Sequence, residues 1–232
     1  LTFDAKNMET ATTQRIVYES PIMTWEAEKR FRIPDVSYHG KIASYRIFEE
    51  MTSELNQDQL SELYEKEKAA ENPVPANAPL IWAIATRGYE IKDENPQEAE
   101  NLRQFLRQGF RRYPNTLTRV VYGPYGDKVI HNHGTSDEYS FEGKVFGPDG
   151  WIGEFEDKFA LESVLETKDI EKINKVSNWI NLTNFHLWRL NSRPPNKVER
   201  VARFNANDNR FNLNCTRNPL NEYPAFRVMR VD

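Results

Sequence analysis

The sequence Arg203-Phe-Asn-Ala-Asn-Asp-Asn-Arg-Phe-Asn-Leu-Asn-Cys-Thr-Arg-Asn-Pro-Leu-Asn-Glu-Tyr223 contains seven asparagines, one third of those in the chain. From Arg210 onward two sets alternate: an apolar set of Phe211, Leu213 and Cys215, and a polar set of Asn212, Asn214 and Thr216. A period of two predicts a strand with one face in the core and the other toward solvent. Because asparagine is a poor strand former, strand propensity does not explain the polar set. The stretch therefore predicts an exposed face that was selected for something other than stability.

Helices are predicted mainly in the first half of the chain. Apolar residues recur every three or four positions over residues 41–55, and Asn56 with Gln59 forms a capping box that starts a second segment. Asn95-Pro96 gives the clearest helix start, and the apolar stripe that follows runs to Phe110. Another helix is predicted after Thr167. The apolar run over residues 80–85 fits either a buried helix turn or a strand.

Short strands are predicted mainly in the second half. They cover residues 116–122, 128–130, 187–190 and 198–204, the stretch from residue 210, and residues 225–231. Residues 1–40 are predicted to be irregular because Ser20-Pro21 and Ile33-Pro34 interrupt regular structure. The arrangement indicates an α+β fold. We expect one domain over residues 1–232, with a variable region and a closing strand in residues 201–232.

Composition excludes several functions. A net charge of −4 argues against nucleic-acid binding as the main function. The single cysteine, Cys215, excludes an intrachain disulfide and a cysteine-based zinc cluster, and its apolar neighbours predict a buried thiol. No apolar run reaches the ~18 residues of a membrane span, so no membrane insertion is expected. The first residues do not have the layout of a signal peptide.

Two clusters suggest chemistry, and each has a simpler interpretation. His131 and His133 would point the same way on a strand and could bind a metal for hydrolysis, or they could cap a surface hairpin. Trp151, Trp179 and Trp188 could line an aromatic cage, although core packing is the commoner role. No phosphate-binding loop, nucleophile elbow or nucleophile pair is present. We therefore expect no enzyme activity and no cofactor.

The asparagine-rich stretch resembles the variable region of a known family. Residues 201–219, followed by Pro224-Ala-Phe-Arg-Val228, are similar to the C-terminal region of variable proteins of diversity-generating retroelements, especially archaeal and archaeal-virus members. Leu187-Trp-Arg-Leu190 also resembles that family, so the similarity covers residues 187–232. In these systems a reverse transcriptase substitutes bases at adenines. Changing either adenine of an AAC codon for asparagine never produces a stop codon.

The resemblance implies a C-type lectin fold of the formylglycine-generating-enzyme type and a non-enzymatic, ligand-binding function. The implied binding positions are Phe204, Asn205, Asn207, Asp208, Asn209, Asn212, Asn214, Thr216, Asn218, Asn221 and Tyr223. The implied partner is a protein or cell-surface ligand, with the protein on a virion or cell surface. The chain lacks the Glu-Pro-Asn, Gln-Pro-Asp and Trp-Asn-Asp triplets, so calcium-dependent sugar binding is not implied. A metal-dependent hydrolase using His131 and His133, and a virion structural protein, remain as alternative functions.

Overall fold

The computed structural model describes residues 23–26, 29–142, 150–156, 158–190 and 193–231. Within these residues the helices are α1 (Gln57–Ala69), α2 (Ala78–Glu90), α3 (Pro96–Phe110), α4 (Phe159–Leu165) and α5 (Ile170–Asn181), with a 3₁₀ turn at Ile152–Glu154. The strands are β1 (Thr24–Glu26), β2 (Arg30–Tyr38), β3 (Lys41–Phe48), β4 (Val74–Pro75), β5 (Asn115–Tyr122), β6 (Lys128–His131), β7 (Tyr139–Glu142), β8 (Gly150–Trp151), β9 (Phe185–Trp188), β10 (Val198–Asn207), β11 (Arg210–Arg217) and β12 (Arg227–Arg230). The fold is therefore α+β, as predicted.

The strands form two sheets. The first has the order β1-β2-β3-β12-β4, and the second has the order β7-β6-β5-β10-β11-β9-β8. The strand that closes the chain, β12, lies between β3 and β4 in the first sheet, whereas the asparagine-rich strands β10 and β11 pair with each other in the second. Strand β9 runs parallel to β11, and the other pairs of the second sheet are antiparallel. The asparagine-rich hairpin therefore lies near the middle of its sheet, where both strands are fixed by neighbours.

The helices cover the apolar face of this hairpin. The ring of Phe110 in α3 lies 5.0 Å from that of Phe204 and 4.8 Å from that of Phe211, measured between centroids. Trp82 in α2 lies 4.9 Å from Phe185 in β9. Phe110 also contacts Phe226, which precedes β12, with 5.3 Å between the ring centroids. One aromatic cluster thus joins the hairpin to the helices and to the start of the closing strand.

The N-terminal part of the described chain corrects two predictions. Residues 30–38 and 41–48 are the strands of a hairpin, not an irregular segment followed by a helix, while residues 1–22 of the predicted irregular segment lie outside the described residues. The turn consists of His39 and Gly40, which have φ of 48° and 69°. Two left-handed residues in succession make the tight turn that matches the twist of paired strands. The His-Gly pair was therefore the turn signal, and the helical spacing beyond it was coincidental.

Most other predicted elements are confirmed. The capping box at Asn56 is present, and Asn95 caps α3. The undecided run over residues 80–85 belongs to α2, because the Asn77 side chain accepts a hydrogen bond from the Leu80 N–H and so caps that helix. In the part of the chain that is described, no helix is both long enough and apolar enough to cross a membrane.

Candidate ligand-binding face

The second sheet carries polar and aromatic side chains on the face opposite its apolar core. In β10 and β11, Asn205 pairs with Asn212 and Arg203 pairs with Asn214. Strand β9 places His186 beside Asn212. Residues that pair directly project from the same face of a sheet. We call this set the outer face: Trp151, His186, Trp188, Arg203, Asn205, Asn207, Arg210, Asn212 and Asn214.

The predicted alternation is present, but the predicted exposure is wrong for two of its asparagines. Phe211, Leu213 and Cys215 are 0% exposed, as expected for a core set. Asn212 is only 2% exposed and Asn214 only 4%. Their neighbours on the outer face are arginine, histidine and tryptophan side chains, which extend further from the sheet than an asparagine does. These two amides therefore form the floor of the outer face and not its rim.

Phe204 does not belong to the binding positions. Its side chain is fully buried and packs against Phe110 and Trp82. The residues on either side of it, Arg203 and Asn205, project from the outer face, so alternation sends Phe204 to the core. The family resemblance implied that Phe204 is a binding position. This assignment is wrong, because successive residues of a strand point to opposite faces of the sheet.

The other predicted positions divide into two groups at opposite ends of β11. Asn207, Asp208 and Asn209 are exposed at the turn between β10 and β11. Asn218 and Asn221 are exposed beyond the end of β11, with Thr216 and Tyr223 half-buried nearby. A strand of this length separates the two groups by roughly 25 Å, at ~3.3 Å per residue. The outer face connects the two exposed groups.

Several of the asparagine carbonyl oxygens bond to their own chain. Asn207 Oδ1 accepts the N–H of Asn209, at 3.0 Å. Asn214 Oδ1 accepts both the N–H and the hydroxyl of Thr216, at 3.0 and 2.8 Å. Such local bonds are a common use of asparagine next to a turn or an irregular strand end. These residues therefore have a structural role in addition to any role in binding.

Asn205 and Asn212 differ from them. The Oδ1 atom of each is buried and has no hydrogen-bond partner among the described residues. An unsatisfied buried acceptor costs about 1–3 kcal/mol. The stability of this fold does not explain an amide at either position.

Two arginine–aromatic groups flank the amides. The Arg210 guanidinium carbon lies 5.0 Å from the ring centroid of Trp188 and 6.0 Å from that of Trp151. The expectation that these two tryptophans are core is therefore wrong, whereas Trp179 does pack against the core. Sequence reasoning could have found Trp188, since Phe185 and Leu187 on the same short strand are apolar and alternate with it.

Arg203 forms the second group. Its guanidinium carbon lies 4.0 Å from the ring centroid of Tyr223 and 5.6 Å from that of Tyr113. Burial lowers the pKa of Arg203, and the nearby positive charge of Arg217 lowers it further. A hydrogen bond to the phenol of Tyr223 acts in the opposite direction and raises this pKa. The site therefore holds an arginine whose charge is disfavoured by its surroundings.

The two histidines do not form a metal site. His131 is buried in β6; its Nε2 lies 2.8 Å from the carbonyl oxygen of Ser163, and its Nδ1 lies 2.9 Å from the hydroxyl of Thr118. Because a carbonyl only accepts, Nε2 carries the proton and Nδ1 accepts from Thr118, so both ring nitrogens are in use. Its burial also excludes the surface-capping role. Across the described ranges, no group of three or more His, Cys, Asp or Glu side chains could hold a metal ion.

Replacing Asn212 and Asn214, the two asparagines on the floor, by leucine should have different effects on the free energy of unfolding. Leucine has nearly the shape of asparagine, so Asn212→Leu should leave the unfolding free energy unchanged or raise it, because it removes an unsatisfied acceptor. Asn214→Leu should lower it by about 1–3 kcal/mol, because both groups of Thr216 lose their acceptor. Urea unfolding of the two variants measures the difference. Equal losses would mean that Asn212 has a structural partner.

Comparison of the chain with family models, with curated protein sequences and with solved structures gave no match.

Proposed function

We propose that the chain is a non-enzymatic ligand-binding protein, diversified by a retroelement, whose outer face and the two ends of β11 recognise a receptor or a cell surface. The observation that carries the proposal is the one-sided placement of the asparagines. Alternate residues of the same strands fill the core, so the side chains on the other side do not belong to that core. The unsatisfied oxygens of Asn205 and Asn212 support the proposal, because amides kept without a bonding partner point to a use other than folding.

The composition of this surface favours a macromolecular ligand. Arginine, tryptophan and tyrosine are the residues that most often dominate binding energy in protein interfaces. Here they flank amides that both donate and accept hydrogen bonds, a combination that antibody binding sites also use. The proposed binding positions are Asn205, Asn207, Asp208, Asn209, Asn212, Asn214, Thr216, Asn218, Asn221 and Tyr223, joined by Trp151, Trp188, Arg203 and Arg210. The ligand class is a protein or cell-surface molecule.

The C-type lectin fold is the finer part of this proposal. It is supported by the way the framework resumes after the variable stretch: Pro224, Ala225 and Phe226 are buried, and the next residues enter β12 beside β3. A fixed segment that closes the fold after the variable positions is what the family resemblance implies. Location on a virion or a cell surface belongs to the same proposal.

The nucleotide sequence around the gene tests the proposal most directly. We expect a near-identical repeat of the codons for residues 201–223, with adenines at the variable positions, and a reverse-transcriptase gene nearby. A neighbourhood that contains neither would contradict diversification by a retroelement.

A pair of displayed libraries tests whether the surface can vary. In the first, adenines are randomised in codons for the exposed asparagines, Asn207, Asn209, Asn218 and Asn221, together with Asn205. We expect most members to remain resistant to protease, because surface changes usually alter stability by within about 0.5 kcal/mol. The matched control library randomises Phe211, Leu213 and Cys215, which are fully buried, and should lose resistance in most members. Equal losses in the two libraries would show that these asparagines contribute as much to folding stability as the buried residues do.

A further inference from the structure

Arg203 is a buried cation with unused donors. It is 3% exposed, and its Nε and Nη1 atoms have no hydrogen-bond partner among the described residues. The Nε of Arg217 is also buried and has no partner in the same part of the chain. The Tyr223 hydroxyl forms a hydrogen bond with the Arg203 guanidinium, but the Nε and Nη1 donors have lost water and gained no acceptor in return, which is costly. The fold therefore contains two neighbouring arginines with donors available to an acceptor from outside.

No carboxylate in the described part of the chain neutralises them. Within the described ranges, no Asp or Glu oxygen lies within salt-bridge distance of Arg203 or Arg217. Two carboxylates on the same strand and its turn are committed to other arginines. Glu199 pairs with Arg119 at 2.7 Å, and Asp208 pairs with Arg111. None of the described carboxylates therefore compensates the positive charge of Arg203 and Arg217.

The two aromatic rings hold Arg203 in place. Its guanidinium carbon lies 4.0 Å from the ring centroid of Tyr223, and the ring centroid of Tyr113 is 5.6 Å away. Aromatic contact uses the flat surface of a guanidinium and leaves the N–H groups of its edge for hydrogen bonds. Tyr223 is half-buried and lies in the segment between β11 and β12. Such an arrangement pre-orients the cation and keeps water away from it.

We propose that Arg203 and Arg217 form an anion-binding subsite of the outer face, which receives an aspartate or glutamate side chain of a partner protein. This inference rests on the proposed binding function and adds the chemical class of the group that is bound. Arginine recognises carboxylates by charge-assisted hydrogen bonds, which are stronger than neutral ones. A protein source is favoured because the adjoining Trp188, Arg210 and Asn212 are the residue types of protein interfaces.

Acetate is the probe for the first experiment. The arginine Nε–H signals of ¹⁵N-labelled protein are followed by NMR at constant ionic strength during titration with acetate, with its neutral analogue acetamide, and with inorganic phosphate. The Arg203→Lys variant identifies the Arg203 signal. We expect that signal to shift saturably with acetate and not with acetamide, and Arg217→Lys to weaken acetate binding by about tenfold, which is ~1.4 kcal/mol.

Arg200→Lys is the matched control, because Arg200 is a half-buried arginine on the same strand that already donates to the carbonyl oxygen of Glu199. It should leave acetate binding unchanged, and melting temperatures check that all variants fold. An Arg203 signal that ignores acetate up to roughly 100 mM would overturn the proposal, since a single charge-assisted contact should be detectable in that range. A response to phosphate alone would also overturn it and would assign the subsite to phosphate groups.

Peptide selection separates the subsite from the proposed function. A random peptide library displayed on phage is selected against the wild-type protein, and the binders are tested on Arg203→Lys, Arg200→Lys and Asn205→Tyr. We expect acidic peptides that bind Arg203→Lys at least tenfold more weakly and Arg200→Lys equally well. Peptides that lose binding to Asn205→Tyr but contain no excess of acidic residues would refute the subsite and leave the proposed function intact. Saturable acetate binding with no peptide selected at the outer face would leave the anion-binding subsite intact and contradict the proposed function.

Discussion

Replacing Phe204 by alanine should lower the free energy of unfolding by about 3–5 kcal/mol, the usual cost of deleting a buried aromatic side chain. Phe204 is completely buried, and its ring contacts Trp82, Phe110 and Phe211. A chain of this size should lose roughly 2–4 °C of melting temperature per kcal/mol, so the expected decrease is roughly 6–20 °C. Thermal and urea unfolding measure it.

The neighbouring position supplies the control. Asn205→Ala changes the next residue on the same strand, but its side chain belongs to the outer face and its Oδ1 bonds to nothing described. Its effect should therefore be within about 1 kcal/mol, and Phe204→Leu should recover most of the loss because it restores volume. If Phe204→Ala were as stable as Asn205→Ala, Phe204 would not be a core residue, and the side of β10 that forms the outer face would have to be reassigned.

The contrast between these neighbours shows what local sequence could predict. The alternation of Phe211, Leu213 and Cys215 with polar residues is a property of one strand, and it predicted the core side of β11 correctly. Capping at Asn56 and Asn95 is similarly local, and both helices begin where their caps predict. These signals depend only on residues within a few positions of each other.

The burial of Asn212 and Asn214 could not be predicted in this way. It depends on Trp188 and His186 of β9, which pair with them across a gap of more than twenty residues in the chain. The same holds for Arg203, whose aromatic partners Tyr113 and Tyr223 are 90 and 20 residues away from it in the chain. Since strand pairing over long separations leaves no local pattern, the floor of the outer face becomes visible only in three dimensions.

A second kind of long-range information concerns His131, which sequence reasoning treated as a possible ligand. The hydroxyl of Thr118 accepts the N–H of Ala78 at 3.0 Å and donates its own proton to His131 Nδ1. Tyr139 and Phe141 pack around the imidazole, with ring centroids 5.0 and 5.7 Å away. A proton on Nδ1 would force the Thr118 hydroxyl to turn its own proton toward another acceptor. The present hydrogen bonds therefore require a neutral His131.

This requirement predicts a marked loss of stability in mild acid. Burial lowers the pKa of His131 from 6.5 to about 3, and the hydrogen bond to Ser163 only partly opposes this. Because the pKa is lower in the folded state, the unfolded chain binds the extra proton first. The stability is thus complete above about pH 6.5 and decreases as the pH falls toward 3. Between pH 7 and pH 5 the loss from this residue should be about 2 kcal/mol, at ~1.36 kcal/mol per pKa unit.

Urea unfolding at several pH values between 7 and 5 measures this loss, and His131→Gln isolates it. Glutamine can still donate to Ser163 and accept from Thr118, but it does not titrate, so the variant should lose about 2 kcal/mol less than the wild-type protein over the same range. Burial also lowers the pKa of His133, so some dependence on pH should remain. Parallel pH profiles for the wild-type protein and His131→Gln would mean that His131 is accessible to protons, and would reopen its assignment as a ligand.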